Sequence, residues 1–162
     1  MAVTMVFRTE STVRRIRILV VASDPTAREA ELAALRAMPD VELVGAASGA
    51  SDALRKSSRR RPDLVLMDLL MPRQSGLQIG ATLKRRPGAP RVVLVSLGGD
   101  VSYARAANEF GIDAVLPRDD LAGALPSLLS RLFPSRTGDV EPPAPAPAPA
   151  PSPRAPRARG GC

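Results

Sequence analysis

The sequence predicts an α/β fold in which a five-stranded parallel sheet is covered by helices on both faces. Short apolar runs alternate with helical segments five times between residues 16 and 133, and the connections between them are short. The apolar runs are continuous rather than alternating in polarity, which is typical of parallel strands buried on both faces. These two observations favour a doubly wound sheet built from five βα units.

Each unit pairs a strand with a helix that has recognisable ends. Asp24 and Pro25 suit the N-cap and the first position of the first helix, Gly111 ends the fourth, and Pro126 is a candidate kink in the fifth. The predicted strands are 16–22, 41–47, 63–68, 91–96 and 113–118, and the predicted helices are 24–38, 50–61, 75–86, 100–111 and 120–133.

The composition excludes several function classes. The chain has 162 residues, a net charge of +7 and no histidine, so histidine-based acid–base catalysis, a phosphohistidine and the usual histidine metal sites are ruled out. A single cysteine, Cys162, excludes an internal disulfide framework and suits a reducing compartment. No apolar run approaches the roughly 20 residues of a membrane helix, and residues 1–15 lack the pattern of a secretory signal. We therefore expect a cytoplasmic protein with no membrane partner.

Three regions follow from the change of composition along the chain. Residues 1–15 are mixed and predicted to be a disordered lead, and residues 16–134 hold the folded unit. Residues 135–162 turn into a Pro-Ala alternation that ends in scattered arginines. Proline removes amide donors and alanine offers little area to bury, so this segment is predicted to be a disordered arm.

Polar residues at the ends of the apolar strands indicate where a ligand would bind. In open α/β sheets, sites lie beyond the carboxyl ends of strands, at the point where strand order reverses. With the first strand central, that point lies between strands one and three. Ala22 and Ser23 should then be neighbours of Asp68, while Ser96 and Arg118 end the fourth and fifth strands.

The stretch MDLLMPRQSG makes the prediction more specific. It matches the pattern Asp-x-x-Met-Pro-x-x-x-Gly through Asp68, Met71, Pro72 and Gly76, and the chain thereby resembles the receiver domain of the response-regulator family. ILVVASDPTARE is similar to that family's first strand and helix start, and GIDAVLPRD to its fifth strand. The resemblance covers about residues 16–133 and implies a flavodoxin-like receiver fold.

The resemblance also implies a phosphoryl switch. Asp68 would accept a phosphoryl group from a sensor histidine kinase or a phosphotransfer protein. An acidic pair at positions 22 and 23 would help to hold Mg²⁺, a hydroxyl at Ser96 would turn toward the phosphoryl group, and a lysine at position 118 would pair with it. An aromatic residue at position 115 would change rotamer with that hydroxyl.

This chain departs from the pattern around Asp68. The acidic pair is replaced by Ala22 and Ser23, so the metal site, with Asp68 as its only carboxylate, is predicted to be weak or absent. A one-residue slip would bring Asp24 into the pair, but its N-cap role is favoured because Pro25 fixes the usual spacing. Arg118 could grip a phosphate or pair structurally with Asp68 and freeze the switch.

A second departure lies in strand five. Val115 stands where the family has an aromatic residue, and it cannot perform an aromatic rotamer change.

The sequence thus favours an atypical receiver-domain protein in a phosphorelay, with no DNA-binding domain and with output through the face of helix four, strand five and helix five. The alternative is a phosphorylation-independent pseudo-receiver that acts as a protein interaction scaffold. A third hypothesis is nucleic-acid binding through the basic runs 55–62 and 84–87 and the arm. An enzyme ranks last, because no Gly-rich dinucleotide turn or Walker loop is present.

Overall fold

The computed structural model describes residues 14–98 and 101–134, which form five β-strands, five α-helices and one 3-10 turn in βα alternation. In chain order the elements are β1 (Ile16–Val21), α1 (Pro25–Arg36), β2 (Val41–Ala47), α2 (Ala50–Arg60), β3 (Leu64–Asp68), α3 (Gly76–Lys84), β4 (Arg91–Ser96), α4 (Val101–Glu109), β5 (Ala114–Pro117), the 3-10 turn (Arg118–Asp120) and α5 (Leu121–Leu132).

The strands form one parallel sheet in the order β2-β1-β3-β4-β5, which confirms the predicted fold class. One detail of the prediction is wrong: β1 is an internal strand, but the middle strand is β3. The chain places β2 outside β1 and then adds β3, β4 and β5 on the other side, so the order reverses between β1 and β3, as expected. Val21 of β1 pairs with Met67 of β3, which brings the two strand ends level.

Two apolar layers lie on the two faces of the sheet. Because side chains alternate along a strand, Ile18 and Val20 join the cluster that contains α1 and α5, whereas Leu19 and Val21 join the cluster that contains α2, α3 and α4. In β3, Leu64 and Leu66 belong to the first of these layers. Asp68, two residues further on, therefore falls on the α1 and α5 face.

The local signals explain most element ends. The Asp24 carboxylate accepts a hydrogen bond from the backbone N–H of Ala27 at 2.8 Å and caps α1, as the sequence predicts. Ser75 and Gln78 form a reciprocal capping box at the start of α3. Pro126 lies inside α5 without ending it. The predicted fifth strand, 113–118, is one residue too long at each end, because β5 runs from Ala114 to Pro117 and Arg118 begins the 3-10 turn.

The predicted lead and arm fall almost wholly outside the described residues. Within residues 14–98 and 101–134, no helix has the length and apolar character needed to cross a membrane.

Candidate functional site

The carboxyl ends of β1, β3 and β4 open onto a cleft of about 600 Å³. Ser23 and Asp68 both line it, which confirms that the ends of the first and third strands converge on one site. Ala22 is completely buried beside this cleft, and its backbone oxygen accepts a hydrogen bond from Nη1 of Arg28 at 2.9 Å. The other lining residues are Asp24, Thr26, Ala27, Ala30, Leu70, Val95, Leu97 and Arg118.

Asp68 and Arg118 form an ion pair in this cleft. Asp68 is only 4% exposed, and Nη2 of Arg118 donates a hydrogen bond to its Oδ1. Arg118 reaches the carboxylate from the start of the 3-10 turn that follows β5. A charged donor on a buried carboxylate is a strong interaction, so the charge of Asp68 is already balanced by the protein itself.

A second carboxyl group, Glu31, lies beside this pair and was not found from the sequence. Glu31 of α1 is 1% exposed, and its Oε1 lies 3.7 Å from Nη2 of Arg118. Neither of its oxygens has a hydrogen-bond partner among the described residues. Burial, and after it the negative charge of Asp68, raise the pKa of Glu31 from 4.5 to about 8, against the opposing effect of Arg118.

The site holds two carboxyl groups instead of the one that the sequence predicts, but it still carries a single negative charge. The sequence predicts one carboxylate there, Asp68, and the structure adds Glu31. Because its pKa is raised to about 8, Glu31 is predominantly protonated at pH 7. The pocket therefore holds one negative charge, on Asp68, next to one positive charge, on Arg118.

Ser96 and Val115, the two positions predicted to take part in the switch, are engaged elsewhere. Within the described part of the chain, the Ser96 hydroxyl has no hydrogen bond to Asp68. Ser96 is 4% exposed, and its hydroxyl donates to the backbone oxygen of Gly98 at 2.7 Å. Val115 is half-buried and packs against the α2, α3 and α4 layer. The hydroxyl at the end of β4 is thus engaged with its own loop.

Gly76, the last residue of the Asp-x-x-Met-Pro-x-x-x-Gly pattern, is required by the packing of the loop between β3 and α3. The backbone N–H of Gly76 donates to the carbonyl of Leu69 at 2.8 Å, which closes the loop between β3 and α3. A Cβ at position 76 would overlap the backbone oxygen of Asp68. Only glycine allows the start of α3 to approach the site this closely.

The residues present do not fit Mg²⁺. This ion prefers octahedral oxygen ligation with one or two carboxylates. Ala22 offers no side-chain donor, the Asp24 carboxylate caps α1, and Arg118 already bonds to Asp68. Across residues 14–98 and 101–134, no group of three or more Asp, Glu, His or Cys side chains could hold a metal ion.

Comparison with known proteins defines the class of this domain. The sequence model of the response regulator receiver domain matches residues 18–124, which is more than half of the chain. The chain belongs to the response-regulator receiver domain family of two-component signalling.

Individual relatives agree with this assignment. The chain is 36% identical over 104 residues to protein-glutamate methylesterase/protein-glutamine glutaminase 3 of Anaeromyxobacter dehalogenans, covering 64% of this chain and 30% of that enzyme. It is 34% identical over 125 residues to the transcriptional regulatory protein BtsR of Escherichia coli, covering 75% of this chain and 50% of that regulator. The chain thus matches half or less of the length of these relatives.

A solved structure shows the same fold. The signal receiver domain of the response regulator NarL from Mycobacterium tuberculosis superimposes with a TM-score of 0.66 at 25% identity, covering 78% of this chain and 99% of that one. The five βα units predicted from the sequence are therefore those of a receiver domain.

Proposed function

We propose that this protein is a pseudo-receiver of two-component signalling, in which Asp68 occupies the phosphoacceptor position but is held by Arg118, and that it transmits signals through protein contacts. The observation that supports this most is the partly buried ion pair between Asp68 and Arg118. A carboxylate that is already bound by a guanidinium needs no metal ion to balance its charge, and its Oδ1 is engaged by the hydrogen bond from Arg118.

Phosphorylation at Asp68 is disfavoured by the chemistry of the step. Phosphoryl transfer depends on cations that neutralise the oxygens of the transferred group, and a divalent metal contributes several kcal/mol to this, or roughly a hundredfold or more in rate. The residues around Asp68 lack the acidic pair that would recruit such an ion. The guanidinium of Arg118 already donates a hydrogen bond to Asp68 and therefore does not neutralise an incoming phosphoryl group.

The rim of the cleft supports a protein partner. Leu70 and Leu97 are 59% and 64% exposed, and both line the cleft above Asp68. Large exposed apolar side chains beside a site are typical of protein interfaces. The expected partners are a sensor histidine kinase or a phosphotransfer protein on this side, and a downstream protein on the face of α4, β5 and α5.

A second candidate function is the phosphorelay switch itself, with Asp68 as a working phosphoacceptor. It is favoured by one observation: Asp68 lines an open cleft that a phosphodonor could enter. In that case Arg118 would move from Asp68 to the phosphoryl oxygens, for which its planar fork is suited.

Intact mass spectrometry separates the two functions. The full chain is incubated with a small-molecule phosphodonor and Mg²⁺, with Asp68→Asn as the matched control. The pseudo-receiver predicts an unmodified mass at every Mg²⁺ concentration. A phosphoryl adduct on the wild type that is lost in Asp68→Asn would overturn it and establish the switch.

A further inference from the structure

The core position of Glu31 needs an explanation that packing does not give. In α1, whose residues are all described, Glu31 and Leu35 are the two buried side chains. They are four residues apart and lie on the same helix face. Leu35 packs in the apolar layer, as expected for an inner face. A carboxyl group at the other position is costly, because burial of a polar group without hydrogen bonds is unfavourable.

The side chains around Glu31 are the two members of the ion pair, Arg118 and Asp68. Its Oε1 faces Nη2 of Arg118 at 3.7 Å, and the same nitrogen bonds to Asp68. Nε of Arg118 is also buried without a hydrogen-bond partner in the described residues. One guanidinium therefore lies against two carboxyl groups that come from different elements, α1 and β3.

We propose that Arg118 is the resident cation of a two-carboxyl site formed by Glu31 and Asp68, and that it takes the place of a divalent metal ion. This inference rests on the proposed function and deepens it, because it names the group that keeps the site metal-free. Glu31 supplies the second carboxyl group that positions 22 and 23 do not, and it does so from within α1 rather than from the end of β1.

The proposal predicts a latent metal site. Removal of the guanidinium leaves an empty volume beside the carboxyl groups of Glu31 and Asp68. Carboxylate oxygens are ligands that suit Mn²⁺ and Mg²⁺. Arg118→Ala should therefore gain affinity for a divalent ion that the wild type binds poorly. The gain should need Glu31 as well as Asp68, so Glu31→Gln in the same chain should abolish it.

Mn²⁺ alone serves as the probe, titrated into the full chain and followed by electron paramagnetic resonance of the free ion. We expect Arg118→Ala to bind Mn²⁺ at least about tenfold more tightly than the wild type, and the double variant Arg118→Ala, Glu31→Gln to return to the wild-type affinity. Arg131→Ala, which removes an exposed arginine of α5, is the matched control and should behave as the wild type. If Arg118→Ala does not fold, Arg118→Met, which keeps most of the side-chain packing, replaces it.

Three results would overturn the proposal. The first is the absence of any gain in the folded Arg118 variant, and the second is a gain that survives Glu31→Gln, which would mean that Glu31 only packs against Arg118. The third is wild-type binding as tight as that of the variant. The titration is independent of the phosphodonor experiment: an adduct on the wild type would contradict the pseudo-receiver function, whereas the Mn²⁺ affinities test the cation role of Arg118 directly.

Discussion

Two carboxyl groups at opposite edges of the sheet, the partly buried Asp113 and the buried Glu31, have opposite surroundings. At the amino edge, Asp113 accepts hydrogen bonds from the Val92 backbone N–H at 2.8 Å, from Nζ of Lys84 at 2.9 Å and from Nη1 of Arg91 at 2.9 Å. Burial opposes its charge, but these three donors outweigh burial and lower the pKa of Asp113. At the carboxyl edge, Glu31 has no hydrogen bond among the described residues, and its pKa is raised to about 8.

The comparison contrasts an edge whose carboxylate stabilises the sheet with the edge that carries the proposed site. Asp113 ties the start of β4 to the start of β5, so its donors stabilise the sheet. Glu31 and Asp68 lie around a single cation, and the oxygens of Glu31 and Nε of Arg118 have no hydrogen bond within the described part of the chain, which costs stability. Unpaired buried groups with shifted pKa values are concentrated at functional sites.

The largest effect should come from removal of the amino-edge carboxylate. Asp113→Ala leaves the N–H of Val92 and the partly buried Lys84 without their acceptor, and we expect a loss of about 2–4 kcal/mol in the free energy of unfolding. Urea denaturation at pH 7 measures it. Asp40→Ala, at an exposed position, is the control and should change stability by less than about 0.5 kcal/mol. A loss as small as that of the control would show that Asp113 is not an anchor.

A change of opposite sign is expected at the carboxyl edge. Glu31→Leu replaces a buried carboxyl group that has no hydrogen bond among the described residues with an apolar side chain of similar size, and it should raise the free energy of unfolding by about 1–2 kcal/mol at pH 7. Glu29→Leu, on the exposed side of the same helix, should have little effect. A destabilised Glu31→Leu variant would mean that Glu31 contributes to the fold as Asp113 does.

The two edges should also respond to pH with opposite signs. The pKa of Glu31 is about 8 in the folded state and 4.5 when unperturbed, so the folded protein binds more protons between these values and its stability falls as pH rises through them. The pKa of Asp113 is lowered, so its contribution is present above its unperturbed value of 3.8 and is lost as pH falls below it.

Denaturation curves at several pH values test this. Between pH 5.5 and 7.5 a pKa raised from 4.5 to about 8 should make Glu31 lower stability by about 2–3 kcal/mol, and Glu31→Gln, which keeps the size and cannot ionise, should remove that slope. Asp113→Asn should leave the slope in place and flatten the loss below pH 4. An unchanged slope in Glu31→Gln would show that another group is responsible.

The fold could be predicted from the sequence because its signals are local. Strands β2 and β4 match their predicted bounds. The polar or turn residues on either side of each apolar run mark where the strand begins and ends. Cap residues such as Asp24 marked the helix starts. The convergence of Ser23 and Asp68 followed from the topology of parallel strands.

Glu31 could not be predicted because its role depends on what packs against its helix. In the run EAELAALR a glutamate is the default solvent-facing residue, and the neighbouring Glu29 is indeed exposed. The spacing of four residues between Glu31 and Leu35 was a signal that both share the inner face. Arg118 lies 87 positions away in sequence, and only tertiary packing brings it opposite this face.

A double-mutant cycle between Arg118 and Asp68 tests the central claim most directly. Free energies of unfolding are measured for the wild type, Arg118→Ala, Asp68→Ala and the double variant at pH 7. The partly buried, charged hydrogen bond predicts a favourable coupling energy of about 1.5–3 kcal/mol. A coupling energy near zero would contradict the account, because Asp68 would then be free of Arg118 and available as an ordinary phosphoacceptor.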